Sequence, residues 1–188
     1  MSLYQQFAQL LDYPDTSLPQ RIEESLAELQ TRWPEAARLL RHFHHSQQNL
    51  GLARLQEAYT ATFDLQPDCT LNLGYHLFGE DQRRGMFLAK LNEYYQKADI
   101  DTGSELPDHL CHLLRYVAAR PESEESRAII AECMLPALGK IAQEIREKTD
   151  PYQPVLQALL FLLKNEAASE SVSHGIEVPS KRLSVSLD

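Results

Sequence analysis

Apolar residues recur at three- and four-residue spacing along almost the whole chain, and no two alternating segments answer each other as paired strands would. That period puts the apolar side chains on one face of a helix, so the fold must bury helical faces against one another. Leu3, Phe7, Leu10 and Leu11 mark a first helix over Ser2 to Leu11, and Tyr13 to Pro19 is a loop. Ile22, Leu26 and Leu29 carry a second helix that Pro19 opens, since proline suits the first helical position. Trp33-Pro34 restarts the pattern through Ala37, Leu40 and Phe43, and a fourth helix runs from about Leu50 through Leu55 and Tyr59 to Phe63. Between Thr70 and Phe78, Leu71, Leu73 and Tyr75 alternate, yet a lone strand cannot satisfy its backbone, so a short helix or extended turn is expected.

Phe87, Leu88, Leu91, Tyr94 and Tyr95 predict a strong helix from Glu80, with Glu80 and Asp81 in its first turn. Asp99 to Glu105 reads as a linker, after which Pro107 opens a helix carrying Leu110, Leu113, Leu114 and Val117. Ser123 begins another that reaches about Lys148, where Pro136 should kink it, and a last helix spans Tyr152 to Ala167. The expectation is all-α: a single-domain helical bundle of seven to nine helices over residues 1–168. The serine-rich, aperiodic residues 169–188 read as a disordered C-terminal tail.

Composition removes several classes of function. Eighteen basic against 27 acidic side chains give a net charge of −9, a poor start for binding nucleic acid but suited to a basic partner or to solubility. Cys69, Cys111 and Cys133 form no CxxC pair, so neither a zinc ribbon nor a disulfide framework is indicated. No signal-peptide pattern opens the sequence, and apolar runs such as Ala158 to Leu163 are far too short to span a bilayer. A soluble, cytoplasmic protein is expected.

Chemistry-bearing residues gather between Tyr59 and Tyr116, in FDLQPD (Phe63 to Asp68), YHLFGEDQRRG (Tyr75 to Gly85) and ELPDHL (Glu105 to Leu110). His42, His44 and His45 lie outside this region; only His42 and His45 share a helical face, and a solvated face explains them more simply than a metal. His76 and Glu80, Glu105 and His109, and Asp108 and His112 stand four apart, a spacing that could line a metal site or serve as capping and inter-helix bonds. The paired Glu-x-x-His of di-iron bundles does not occur. Arg83-Arg84 either pairs with neighbouring acids or holds an anionic group. Phosphate-loop, nucleophile-elbow and zinc-protease patterns are missing. Two readings stay open: a helical binding module, or a metal- or nucleotide-handling helical enzyme using His76, Glu80, Glu105 and His109.

FDL, HLFGED, RG and above all ELPDHL, in this order and at these intervals, resemble the NarJ family, within the TorD-like redox enzyme maturation chaperones. The match is specific over roughly a third of the chain. The resemblance implies an all-helical chaperone for respiratory nitrate reductase or a related molybdoenzyme, with no enzymatic activity and no cofactor of its own. It implies binding to the N-terminal leader of the catalytic (alpha) subunit, held for molybdenum cofactor insertion before membrane attachment, and contact with molybdenum cofactor biosynthesis proteins. The implied peptide-binding residues are His76, Phe78, Gly79, Glu80, Asp81 and Arg84 with Glu105, Leu106, Pro107, Asp108 and His109. Asp108 is expected in the first turn of a helix, on an acidic rim where it could meet a leader arginine. His109 is expected either to pair with Glu105 across the turn or to donate to the incoming peptide; a purely structural cap is the alternative for both.

Overall fold

The computed structural model describes residues 1–146 and 150–173. Among these, α1 (Leu3–Leu10), α2 (Leu18–Arg32) and α3 (Pro34–Tyr59) follow the apolar spacing closely. Ser2 caps α1 by accepting from the Gln5 amide, and Pro19 and Pro34 sit at the first positions of α2 and α3, where no amide is needed. Gly51, at φ 74° and ψ 169°, breaks the ladder of α3 where a separate helix was expected to begin. Past Tyr59 the ladder widens into a π-turn over Thr60–Asp64, and a 3-10 turn, Pro67–Cys69, follows.

The next elements are α4 (Leu73–Phe78), α5 (Gln82–Lys97) and α6 (Leu110–Ala119), then α7 (Glu124–Ala128), α8 (Leu135–Arg146) and α9 (Gln153–Ser173). A second π-turn, Ile129–Met134, joins α7 to α8 and ends just before Pro136. Pro136 thus falls in the first turn of α8, where its missing amide is no loss, and the expected interruption appears as the widened turn just before it. The last helix continues to Ser173, and residues 174–188 of the expected tail lie outside the described residues. The fold is all-α, as the spacing predicts.

Packing is in two halves that share one core. One sets α9 against α3 and α8; the other sets α1 against α6 and α2. Phe43, Tyr59, Phe63 and Tyr152 meet where α3, its π-turn and the start of α9 converge, with ring centroids 5.0–5.5 Å apart. Among the described residues, no helix is long and apolar enough to cross a membrane.

Two helix starts differ from expectation. The fifth helix begins at Gln82: Gly79 at φ 64° closes α4, Glu80 is exposed, and Asp81 caps α5 by accepting from the Arg83 amide. The sixth begins at Leu110 with His109 as its cap, three residues after Pro107. Asp108 is therefore outside the first turn. Its pairing across the chain explains why: the Leu73 amide donates to the Asp108 carbonyl at 2.9 Å and the Leu110 amide to the Leu71 carbonyl at 2.8 Å. This bridge between Asn72 and His109 gives the alternating Leu71 and Leu73 the partner that the sequence did not show.

Candidate functional site

The ELPDHL segment is fixed residue by residue. Tyr95 donates its hydroxyl to the Pro107 carbonyl at 2.7 Å. The Asp108 side chain is fully buried, and Oδ2 accepts from Arg84 Nε at 2.8 Å, with Arg84 itself only 18% exposed. Gly74 packs against this carboxylate so closely that an added Cβ would stand 2.6 Å from Oδ2. The expectation of Asp108 on an exposed acidic rim is therefore corrected: it is an internal tie between α4, α5 and the start of α6. Its Oδ1 has no partner among the described residues.

His109 Nδ1 accepts from the Cys111 amide at 3.3 Å, which requires the lone pair on that nitrogen. Burial, with nearby His112 acting in the same direction, lowers its pKa to about 4. The expected pairing with Glu105 is replaced by this cap, because the two residues stand on a turn and share no helical face. His112 and His76 are also shifted down, first by burial. His109 is neutral in the fold and its ordinary pKa is 6.5, so the unfolded chain takes up the proton first. The contribution of His109 to stability is present above pH 6.5 and declines as pH falls toward 4. Lowering pH from 7 to 5 should cost about 1 kcal/mol from this residue after allowance for its partial exposure. His109→Asn keeps a good cap without the titration. Thermal melts between pH 5 and 7 should show a shallower slope for it; an unchanged slope would exclude His109 as a source.

The remaining predicted residues are spread over the α4–α5 corner. His76 Nε2 donates to the Thr70 carbonyl at 2.7 Å, and Lys140 donates to the His76 carbonyl at 2.5 Å. Phe78 packs on Phe87 at 5.5 Å, and Arg84 lies 5.9 Å over the Tyr75 ring. His76 and Glu80 do not share a helix, since α4 ends between them. His76, Glu80, Glu105 and His109 therefore do not form the two helical pairs that the enzyme reading needs, and only Glu105 and His109 line a common cleft. The surface histidines find helical neighbours: His42 meets Arg38 and His44 meets Gln48.

That cleft holds about 500 Å³ and lies where four segments meet: the end of α1, the π-turn, the residues before α4 and the residues before α6. Asp12, Tyr13, Tyr59, Phe63, Asp64 and Asn72 join Glu105 and His109 around it. A shallower one of about 220 Å³ shares Asp64, Thr70 and Asn72 with it and adds Leu65, Tyr75 and Arg84. The two adjoin through these shared residues as one groove, lined by aromatic rings and by carboxylates. Sequence reasoning left out the α1 and π-turn contributions, although Phe63, Asp64 and Leu65 are the FDL of the first motif. Their helical spacing hid a π-turn, a feature often found at functional sites.

A profile described as nitrate reductase delta subunit matches residues 18–154. The chain is 30% identical over 170 residues to a Bacillus subtilis (strain 168) protein named as a nitrate reductase molybdenum cofactor assembly chaperone, NarJ, covering 89% of this chain and 91% of that one. It is 28% identical over 173 residues to the nitrate reductase molybdenum cofactor assembly chaperone NarJ of Escherichia coli (strain K12), covering 90% and 72%. A crystal structure from Archaeoglobus fulgidus, described as a redox enzyme maturation protein, superposes with a TM-score of 0.60 at 21% identity, covering 86% and 91%. At that identity the likeness shows the fold alone.

Proposed function

The chain belongs to the nitrate reductase delta subunit family, and we propose that it is a chaperone for a respiratory nitrate reductase, acting in the cytoplasm. The family assists cofactor assembly and is not a catalyst. In this reading the chain binds the N-terminal leader of the catalytic subunit and holds that subunit for molybdenum cofactor insertion before membrane attachment. Molybdenum cofactor biosynthesis proteins are further partners in the same reading.

One observation beyond family membership supports the leader as ligand: the groove joins aromatic wall to acidic edge on a chain of net charge −9. An amphipathic basic helix suits such a surface, held by its apolar face and steered by its charge. Isothermal titration with a synthetic leader peptide should give saturable binding that weakens several-fold between low and high salt, since screening acts on exposed charges. Absence of binding would overturn the leader as ligand; salt-independent binding would remove charge from its recognition.

A further inference from the structure

The charges around the groove do not cancel. Asp12 is held by Arg115, whose Nη2 meets both carboxylate oxygens at 2.7 and 2.6 Å. Arg84 is engaged by buried Asp108, and His109 is neutral as the cap of α6. Asp64 and Glu105 are left, both exposed and neither in an ion pair among the described residues. They come from different segments, the π-turn and the ELPDHL turn, yet face the same cleft with Tyr13, Tyr59 and Phe63.

A second observation concerns apolar surface. Among the described residues, five large apolar side chains are strongly exposed; one of them lines this cleft and two others directly follow its carboxylates in the chain. Tyr13, 53% exposed, lines it; Leu65, 73% exposed, follows Asp64; Leu106, 44% exposed, follows Glu105. Each uncompensated carboxylate therefore has an exposed leucine as its chain neighbour. Apolar surface gathered at a charged concavity marks a protein partner, and the sign of the charge selects a basic one.

We propose that the cleft recognises a basic amphipathic peptide by a single arginine or lysine set between Asp64 and Glu105 against the aromatic wall, with apolar residues one helical turn to either side resting on Leu65 and Leu106. This rests on the leader-binding reading and adds what in the peptide is read. The aromatic faces attract the same cation that the carboxylates do. The flanking apolar contacts require residues three or four positions from the basic one, the spacing that shares a helical face.

Peptide titration on the intact protein tests it, using the synthetic leader peptide and versions in which each basic residue is replaced in turn by glutamine. Asp64→Asn and Glu105→Gln should each weaken binding about ten- to hundredfold, the loss of a hydrogen bond to a charged group, with melting temperature unchanged because both are exposed. One glutamine peptide should be weakened equally against wild type and lose no further affinity on either variant. Glu132→Gln, an exposed acid that does not line the cleft, should bind as wild type does. Equal weakening by Glu132→Gln would show diffuse attraction by net charge and overturn the subsite. Wild-type affinity in Asp64→Asn and Glu105→Gln would overturn it while leaving leader binding intact. No binding of any leader peptide to the wild type would overturn both.

Discussion

Replacing Asp108 by alanine will cost the fold about 3–5 kcal/mol, the usual consequence of breaking a buried ion pair from one side. The carboxylate is fully buried and meets Arg84 Nε at 2.8 Å, so truncation leaves a nearly buried guanidinium without a counter-charge. For a chain of this size the melting temperature should fall by roughly 10 °C. Replacing Arg84 by methionine in the same protein should recover much of the loss, because the stranded charge is then gone. A melting temperature within about 2 °C of wild type for Asp108→Ala would show that the pair carries no stability. The prediction also separates two meanings of the ELPDHL motif. Pro107 and Asp108 hold the segment in place through Tyr95, Leu73 and Arg84, while Glu105 and Leu106 on the same turn face solvent.

The helices were legible because their signals are local. Apolar spacing, the prolines at 19 and 34 and the capping serines at 2 and 123 each act within a turn or two of chain. The site was legible only in part, because its parts depend on long-range pairing. Nothing around Leu71 announces that His109 lies beside it, so the bridge between Asn72 and His109 could not be read, and the start of α6 was placed three residues early. That shift of frame placed Asp108 on a surface rim, whereas the fold buries it as an internal tie. The cleft was missed for a related reason. It is assembled from Asp12, Asp64, Asn72 and Glu105, which belong to four segments far apart in sequence. The motifs named two of the four segments correctly, FDL and ELPDHL, without indicating that they face each other.

The wall of that cleft depends on a residue that never touches it, and Tyr152→Ala will show this at a cost of about 3–5 kcal/mol, as for other large aromatic-to-alanine changes in cores. Tyr152 is fully buried at the start of α9, and its ring packs on Phe43, Tyr59 and Phe63 at 5.2–5.5 Å. Its hydroxyl donates to the Leu55 carbonyl at 3.1 Å, and burial raises its pKa, so it stays a neutral donor. Removing the ring opens a cavity directly behind Tyr59 and Phe63, two of the aromatic rings that line the cleft. Those rings can then turn inward, so peptide affinity should fall along with stability. Tyr152→Phe keeps the packing and loses only the hydroxyl bond, about 1 kcal/mol, and should bind as wild type does. Thermal melts and leader-peptide titrations of both variants, run well below their melting temperatures, separate the two effects. If Tyr152→Ala melts like wild type, the aromatic cluster is not packed as described. If it is destabilised yet binds normally, the cleft wall does not depend on Tyr152, and the link from core to site fails.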